Sequence, residues 1–425
     1  MKGKTKFKKT PIGEIPEDWE VVRLKDVIKE AKPGFASGKR DENGIIQLRM
    51  NNITTEGKVT LKEYLKVPVP SNIKDYLLKP GDVLFNNTNS VDLIGKTAIF
   101  RGECQFCTYS NHITRIRVDS SRVIPEWIMY YFMELWRVGY FRQICVRYVG
   151  QASVKKTDLL NMPLPLPPLP EQKKIAEILR TVDEVIEKTD EAIEKTERLK
   201  KGLMGRLLTK GIGHERFKKT ELGEIPEEWR VVRLGDVASS FQYGLSTKLK
   251  DSGRYPVIKM DSILNGKVLP INLKYTDLDE ITFRKYKLEK GDVLINRTNS
   301  YELVGRTGVF MLEGDYVFAS YLIRLKPNLN VADPMFLTLY LIFAGDRLRQ
   351  LATRAASQAN INASNLKKFK IPLLPIEEQK QIAKILSTVD RKLELLRERR
   401  EKLERVKRGL MKDLLTGKRR VMSTR

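Results

Sequence analysis

Two stretches of sequence decide the architecture: LPEQKKIAEILRTVD, from Leu169 to Asp183, and IEEQKQIAKILSTVD, from Ile376 to Asp390. They lie 207 residues apart (376 − 169), and a proline-containing segment precedes each of them. From both, apolar residues recur at three- and four-residue spacing for about forty residues between strongly charged neighbours, a pattern typical of a helix in a coiled coil. The predicted contact positions are Ile175, Leu179, Val182, Ile186, Ile193 and Leu203 on the first helix, together with Thr189 and Thr196, and Ile382, Leu386, Val389, Leu393, Leu396, Leu403 and Leu410 on the second.

The rest of the chain also contains an internal repeat. FKKTPIGEIPEDWEVVRLKDV, residues 7–27, recurs as FKKTELGEIPEEWRVVRLGDV, residues 217–237, at an offset of 210 (217 − 7). LKPGDVLFNNTNSVDLIGKTAIF, residues 78–100, recurs at the same offset in residues 288–310. Short β-like runs alternate with helical segments, which we place at about residues 127–142 in the first copy and 334–351 in the second. We therefore predict an α+β fold for both globular parts. The single tryptophan of each opening motif is interpreted as a core or helix-docking residue.

These observations predict four segments. A first globular α/β-type domain spans residues 1–160, and a long helix falls in residues 161–210. A second domain spans residues 211–367, and residues 368–425 carry a second long helix with a basic tail. Because the first helix leads out of one domain into the next, two paired helices must be antiparallel. At 1.5 Å per residue each spans about 60 Å, which predicts a dumbbell with an approximate two-fold axis.

The composition favours a polyanionic partner. Lys and Arg number 78 against 53 Asp and Glu, a formal charge of +25, which makes nucleic acid the first candidate. No apolar run reaches about 18 residues and the N-terminus does not resemble a leader, so we expect a cytoplasmic protein without a membrane partner. Three cysteines and two histidines leave no disulfide framework and little room for histidine-based catalysis.

Motifs for bound cofactors and metals are weak. The glycines of GFASGKR, residues 34–40, have the wrong spacing for a phosphate-binding loop, and no amino-methyltransferase tetrapeptide occurs. Cys104, Cys107 and His112 have zinc-like spacing, but the second copy has Gly314, Val317 and Leu322 at the same offset. We therefore expect no cofactor, no metal and no catalytic centre.

Candidate DNA contacts divide into shared and differing positions. Phosphate contacts position a protein, whereas contacts to base edges read sequence, so retained polar residues suit the first role and differing ones the second. The retained Asn-Thr-Asn-Ser runs also suit turns that Asn and Ser side chains close through the backbone. The shared candidates are Arg49, Asn87, Lys96 and Gln151 in the first copy and Lys259, Arg297, Arg306 and Gln358 in the second; the differing candidates are Lys39, Arg40, Asn51 and Asn52, and Lys248, Lys250, Arg254 and Asp261.

The doubled GEIPxxW and GDVL motifs, with the two blocks PLPPLPEQKKIA and IPLLPIEEQKQIA, resemble the specificity subunit of type I restriction-modification enzymes. The resemblance covers essentially the whole chain. It implies two target-recognition domains, each reading one half of an asymmetric, gapped sequence in double-stranded DNA. In the family's terms the helical segments are two conserved regions that set the gap and bind two methyltransferase subunits. Restriction subunits with a motor and a nuclease join that core and, with the methyltransferase, supply the chemistry.

Two other functions remain open at this point. The chain could itself be a DNA methyltransferase or nuclease, which requires binding of a cofactor such as S-adenosylmethionine. It could also be a basic coiled-coil adaptor that binds DNA without sequence preference, so that salt but not sequence changes its affinity.

Overall fold

The computed structural model describes residues 6–354 and 358–421 and divides the chain into two compact units. Unit 1 comprises Met1–Asp190 with Glu398–Arg425, and unit 2 comprises Glu191–Arg397. Each unit thus contains one globular domain, the beginning of one long helix and the end of the other.

Unit 1 is built from short strands followed by helices. Its strands are β1 (Phe7–Thr10), β2 (Gly13–Pro16), β3 (Glu20–Arg23), β4 (Ile28–Pro33), β5 (Ile45–Leu48), β6 (Leu65–Val67), β7 (Val83–Asn86), β8 (Thr88–Asn89), β9 (Thr97–Ile99), β10 (Cys107–Tyr109), β11 (Ile113–Val118), β12 (Val146–Tyr148), β13 (Gln151–Ser153) and β14 (Pro163–Leu166). Its helices are α1 (Pro125–Arg137), α2 (Tyr140–Ile144), α3 (Lys156–Asn161) and the first half of α4 (Leu169–Lys210).

Unit 2 repeats this order with one added helix, α5, and two added short strands, β20 and β21. Its strands are β15 (Phe217–Thr220), β16 (Gly223–Pro226), β17 (Arg230–Arg233), β18 (Ala238–Tyr243), β19 (Tyr255–Ile258), β20 (Ile263–Leu264), β21 (Lys267–Val268), β22 (Lys274–Thr276), β23 (Val293–Asn296), β24 (Thr298–Asn299), β25 (Thr307–Val309), β26 (Val317–Phe318), β27 (Leu322–Pro327), β28 (Thr353–Arg354), β29 (Ala359–Asn360) and β30 (Lys370–Leu373). Its helices are α5 (Glu280–Tyr286), α6 (Pro334–Phe343), α7 (Gly345–Arg349), α8 (Ala363–Lys368) and the first part of α9 (Ile376–Leu414).

Both domains have the predicted α+β architecture. The main sheet of unit 1 has the order β4-β11-β7-β9, and unit 2 has the equivalent β18-β27-β23-β25 extended by β21 and β20. A second sheet has the order β10-β5-β6 in unit 1 and β22-β19-β26 in unit 2, with β5 parallel to β10 and β19 parallel to β26. The central strands β7 and β23 are buried along their whole length, as their VLFN and VLIN sequences predict.

The helices after the main sheet are shorter than the sequence pattern predicts. We expected one helical segment at residues 127–142, but Gly139, with φ 81°, separates α1 from α2. Gly95 also has a positive φ of 85°, and a side chain there would meet the ring of Phe141 in α2. Phe141 packs edge-on against Phe85 and Phe132, with ring centroids 5.0 and 5.8 Å apart, so the break in the helix lets one aromatic ring reach the core.

Each domain fixes the first turn of its long helix through a buried tryptophan. The indole Nε1 of Trp19 donates to Oε2 of Glu171 at 3.0 Å, and Trp229 donates to Glu378 at 3.1 Å. Both indoles are fully buried in the domain cores, as the interpretation of the opening motif expected. The acceptor carboxylates lie in the first turns of α4 and α9, where the helix dipole favours negative charge.

The long helices pack together antiparallel in each unit. In unit 1, Lys407 contacts Asp183 at 2.6 Å and Arg400 contacts Asp190 at 2.6 Å. Residue numbers therefore increase along α4 in the direction in which they decrease along α9. Unit 2 has the equivalent ion pair between Lys200 and Asp390 at 2.5 Å. These contacts support the predicted antiparallel coiled coil.

The predicted contact positions of the helices are not equally buried. Six of them are buried, and seven are half-buried. The buried positions are Ile175, Leu179, Ile186, Ile382, Leu386 and Leu393; the half-buried ones are Val182, Ile193, Leu203, Val389, Leu396, Leu403 and Leu410. Thr189 and Thr196 are buried as well, and each hydroxyl donates to the carbonyl four residues earlier.

Candidate nucleic-acid interface

The Asn-rich run of each domain is a strand in a small three-stranded sheet rather than a free loop. In unit 1 the order is β12-β13-β8, and the hairpin of β12 and β13 brings Gln151 close to the Asn-rich strand. In unit 2 the equivalent order is β24-β29-β28. Part of the turn chemistry is also present, because Oδ1 of Asn89 and of Asn299 accepts from the following backbone N–H at 2.8 Å.

A cleft of about 530 Å³ opens in unit 1 where the loop before β5 meets the ends of β5 and β10. Arg49 reaches across it, with Nη2 donating to the carbonyl of Ser37 at 3.2 Å, and Nε2 of Gln47 donates to the carbonyl of Phe35 at 3.0 Å. Asn51 is exposed at the rim. The cleft is lined by Ala36, Ser37, Gly38, Gln47, Arg49, Met50, Asn51, Ser110, Asn111 and His112.

Several polar atoms of this cleft are buried without an internal partner. Within residues 6–354 and 358–421, no hydrogen bond is made by Gln47 Oε1, Arg49 Nε or Ser110 Oγ. Asn87 borders the same region, since its Nδ2 donates to the carbonyl of Asn111 at 3.2 Å, and its Oδ1 is also unpartnered. A buried polar atom without a partner costs about 1–3 kcal/mol, so such a cluster is typical of a surface that a ligand or ordered water completes.

The equivalent surface of unit 2 has the same backbone and different side chains. Pairing of Leu48 with Tyr109, and of Ile258 with Phe318, sets the correspondence between the two copies. On that basis Val257 stands in the place of Gln47, and Ala319 in the place of Ser110. Continuing along the strands, Arg49, Asn51, Asn111 and His112 correspond to Lys259, Asp261, Ser320 and Tyr321.

Three predicted base readers are exposed with free charges. Lys39 and Arg40 follow directly after Gly38 of the cleft, and Lys248 lies in the corresponding loop of unit 2. In the part of the chain that the structure describes, these three side chains have no ion pair and no hydrogen bond, so each can meet a phosphate or a base.

The other predicted readers of unit 2 already have partners. Lys250 contacts Asp277 at 3.0 Å, and the guanidinium of Arg254 lies 5.0 Å from the ring centre of Tyr255. Lys259 and Asp261 form a pair at 3.4 Å just after β19. All four lie in the loops that flank β19, and Asp261 is half-buried where Asn51 of unit 1 is exposed.

The shared candidates are held in different ways. The guanidinium of Arg297 lies 4.7 Å from the ring centre of Tyr243, and its Nη2 donates to Asn360 at 3.2 Å. Arg306 is exposed, as are Gln151 and Gln358 at the ends of the two hairpins.

Two sequence-based expectations are corrected. Lys96 is buried, and its ammonium donates to the carbonyls of Met50 and Ile53 at 3.2 and 2.6 Å; burial lowers the pKa of Lys96 from its ordinary value. Asn52 is also buried, and its amide donates to two carbonyls at 2.8 and 2.7 Å. Both side chains stabilise the turn after β5 and are not available to DNA. Lys96 and Arg306 therefore differ in role although they align in sequence.

Sequence reasoning missed the part of the cleft that comes from β10. Ser110, Asn111 and His112 lie about sixty residues from Asn51 in the chain and become its neighbours through the parallel pairing of β5 and β10. No local pattern marks such a pairing, because the crossover between the two strands contains β7 and β9 of another sheet.

Cys104 and Cys107 lie close to each other, with their Cα atoms 6.0 Å apart. Over the described ranges, no cluster of three or more His, Cys, Asp or Glu side chains has the arrangement of a metal site. Within the same ranges, no helix is long and apolar enough to cross a bilayer.

Two α+β domains in a strongly basic chain, with exposed basic side chains beside unpartnered polar atoms in unit 1, are typical of a nucleic-acid-binding protein. Residues 16–197 and again residues 226–405 match the family described as the Type I restriction modification DNA specificity domain. The chain belongs to this family, which is one of DNA-recognition subunits and not of catalytic subunits.

Individual relatives have the same length and organisation. A protein of Methanocaldococcus jannaschii, provisionally named the type I restriction enzyme MjaX specificity subunit, is 34% identical over 98% of this chain and 97% of its own. The MjaVIII specificity subunit of the same organism is 29% identical over 96% and 94%. The crystal structure of the type I restriction-modification S subunit from M. genitalium has the same fold, with a TM-score of 0.57 at 14% identity over 96% of this chain and 97% of that one.

Proposed function

We propose that this chain selects a bipartite, asymmetric DNA sequence for a type I restriction-modification complex, and that it docks the methyltransferase and restriction subunits of that complex. The observation that carries the proposal is that equivalent strand ends carry different polar groups in the two domains. A protein that read one repeated or palindromic sequence would need the same groups twice. Replacement of Gln47 by Val257 and of Asn51 by Asp261 instead supports two different half-sites.

The chemistry of the differing groups suits a different base in each domain. An asparagine amide can both donate to and accept from adenine, whereas a carboxylate accepts from the amino group of cytosine. Arg49 and Lys259 keep a positive charge at one position and suit guanine or a phosphate in both domains. Asn51 is exposed and Asp261 half-buried at the same place in the two copies, so these two residues are the proposed determinants of the difference.

The long helices support the proposed spacer and docking roles. Their mutual contacts are antiparallel in both units, so each domain contacts the beginning of one helix and the end of the other. Several large apolar side chains on the helices are exposed, which suits contact with partner subunits. These side chains are Leu199, Ile385, Leu395 and Val406. The repeat of domain and helix gives two equivalent docking sites, and hence two methyltransferase subunits.

Selection from random double-stranded DNA by the complete complex tests the proposal. The expected result is two different half-sites with a fixed gap, about one helical turn or 34 Å between their centres. A single contiguous site or a palindrome would contradict it. Binding that falls with salt but ignores sequence would instead support the adaptor, and tight binding of S-adenosylmethionine by the isolated chain would support an enzyme.

The variant Asn51→Asp sharpens this test, because it gives unit 1 the side chain that unit 2 has. We expect the base preference to change at one position of one half-site, with a loss of about 1–3 kcal/mol on the original base, while the other half-site is unaffected. Asn72→Asp is the matched control, since Asn72 is an equally exposed asparagine of unit 1 outside the cleft. A change in both half-sites, or in neither, would remove Asn51 from the proposed readers.

A further inference from the structure

The hairpin of β12 and β13 ends in a solvent-exposed apolar tip. Tyr148 pairs with Gln151, so the turn consists of Val149 and Gly150, and Gly150 has the positive φ of 76° that this tight turn requires. Tyr148 is 64% exposed and Val149 is fully exposed. Neither side chain belongs to a hydrophobic core of the unit. A tyrosine and a valine side by side at the end of a projection are an apolar contact group without an internal partner.

The base of the hairpin is fixed, in contrast to its tip. Ala152 is fully buried, Oγ of Ser153 donates to the carbonyl of Asn87 at 3.2 Å, and the backbone N–H of Val154 donates to the same carbonyl at 2.9 Å. Asn87 in turn contacts Asn111 of the cleft. The tip is therefore carried by the same strand that borders the proposed reading site, and it can be presented to a ligand without large loss of conformational entropy.

The charge around the tip favours DNA as the occupant. From Gln143 to Thr157 the chain contains Arg147, Lys155 and Lys156 and no acidic residue. Arg147 lines a cavity of about 560 Å³ beside the hairpin together with Arg137 and Arg142. Within the described residues its guanidinium has no ion pair, whereas Arg137 is neutralised by Glu134 at 2.5 Å.

The second domain has no counterpart to this tip in its sequence. Arg354 pairs with Ala359, so four residues separate the paired positions in unit 2, as they do between Arg147 and Ala152 in unit 1. Three of the four, residues 355–357, lie outside the described part of the chain. Their sequence is Ala-Ala-Ser, followed by Gln358, against Tyr-Val-Gly followed by Gln151 in unit 1. The glutamine is retained and the two large apolar residues are not.

We propose that Tyr148 and Val149 form an apolar wedge that enters the groove of the half-site read by unit 1 and opens one base step there, and that unit 2 makes no such wedge. The inference rests on the proposed function, in that it takes sequence-specific DNA as the ligand. Apolar side chains inserted between base pairs unstack them and kink the duplex, and flanking arginine and lysine contacts to phosphate hold the deformed DNA. An asymmetric distortion of the two half-sites follows.

The test uses the full chain in complex with its methyltransferase subunits and double-stranded DNA that contains the selected site. 2-Aminopurine, whose fluorescence rises when it unstacks, is placed in turn at each purine of both half-sites. We expect a rise at one step of the unit 1 half-site that has no counterpart in the unit 2 half-site, beyond the rise at the bases that the methyltransferase subunits themselves flip out of the duplex. The double variant Tyr148→Ala/Val149→Ala should abolish the rise and weaken binding by about 10-fold, as expected for loss of one stacked aromatic contact.

The matched control is the double variant Tyr64→Ala/Val69→Ala, which removes the same two residue types at 55% and 56% exposure elsewhere in unit 1. It should leave the fluorescence and the affinity unchanged. An equal loss in the control, or a wild-type complex without an unstacked step, would overturn the wedge. Because both tip residues are exposed, the variants should fold, and Val149→Ala alone should give a partial loss.

The outcomes separate the wedge from the function on which it rests. If selection still yields two different half-sites, while the tip variant has the DNA affinity and the 2-aminopurine fluorescence of the wild type, the wedge is wrong and the proposed function stands. If selection yields no sequence preference, the proposed function fails first. If the tip variant keeps the DNA signal but loses a methyltransferase subunit in size-exclusion chromatography, the tip contacts protein and the wedge is again wrong.

Discussion

Arg420 joins the chain beyond α9 to the domain of unit 1, and its removal should release that connection. Its Nε and Nη2 donate to the two carboxylate oxygens of Glu171, both at 2.8 Å, and its Nη1 and Nη2 donate to Asp18 at 2.7 and 2.6 Å. Glu171 lies in the first turn of α4 and also accepts from Trp19. The variant Arg420→Ala therefore breaks four charged hydrogen bonds and leaves one buried carboxylate.

The expected cost follows from the exposure of each partner. Glu171 is 8% exposed, and loss of the cation from a buried pair costs about 3–5 kcal/mol when nothing replaces it. Trp19 and the helix dipole still stabilise the Glu171 charge, which reduces that figure. Asp18 is about half exposed, so its share is about 0–1 kcal/mol. We expect a net loss of about 2–4 kcal/mol in the stability of the segment that follows α9.

Hydrogen exchange measured by mass spectrometry reads this loss locally, so global two-state unfolding is not required. Peptides covering residues 411–421 should exchange roughly 30- to 700-fold faster in Arg420→Ala, since each 1.4 kcal/mol is a factor of ten. Arg419→Ala is the matched control, because Arg419 is an exposed neighbour of equal charge. Equal exchange in wild type and Arg420→Ala, or an equal increase in Arg419→Ala, would refute the reasoning.

The same contact predicts that the stability of the segment after α9 depends on pH. Hydrogen bonds from Arg420 lower the pKa of Asp18 below its usual value of 3.8. A carboxylate whose pKa is lower in the folded state contributes stability above its unfolded pKa and loses that contribution as pH falls through the folded pKa. Protection of residues 411–421 against hydrogen exchange should thus decrease below about pH 4 in wild type. The decrease that comes from Asp18 should be absent from Arg420→Ala.

Three further predictions concern unit 1. In Lys407→Ala the half-buried carboxylate of Asp183 loses its cation and keeps the hydrogen bond from the Tyr130 hydroxyl at 2.7 Å, so the helix pair should lose about 3 kcal/mol of stability against thermal unfolding. Lys407→Arg should recover part of this loss, and an unchanged melting temperature in Lys407→Ala would mean that the ion pair of Lys407 and Asp183 is solvated. Asn52→Ala should cost about 2–3 kcal/mol in denaturant unfolding, because the carbonyls of Thr60 and Glu63 lose the buried amide that donates to both. A cost below about 0.5 kcal/mol would contradict the role given to this amide. Gly95→Ala should cost about 2–4 kcal/mol by calorimetry through its positive φ and its clash with a buried ring, and a wild-type melting temperature would show that α2 can move aside.

The sequence predicted the repeated elements well because their signals are local. The heptad spacing and the two EQK-containing blocks lie within single helices, and the period of apolar residues is sufficient to predict a long helix with one apolar face. The fold class followed from the repeat in the same way. The antiparallel direction needed one more step, since it came from the order of the segments along the chain.

The sequence indicated only part of the proposed reading surface. Lys39, Arg40 and Asn51 were selected as candidates from the difference between the copies, and they lie in or beside the cleft, while their contact with DNA stays a prediction. Lys96 and Asn52 have the same residue types as a DNA contact, but the turn after β5 folds over them. Composition and spacing do not distinguish a buried amide from an exposed one, because burial depends on which strands pair.

By itself the sequence therefore determined that two equivalent α+β domains alternate with two long antiparallel helices and that the chain is strongly basic. Each of these properties depends on residues a few positions apart or on a sum over the chain. Only the tertiary structure decided which polar groups face a common cleft. Pairing of β5 with β10 brings Gln47 and Ser110 together across a long crossover, and pairing of β13 with β8 carries the tip formed by Tyr148 and Val149. Such long-range pairings depend on the packing of the whole domain, since the energy of a strand pair depends on the elements that pack against it as well as on its own side chains.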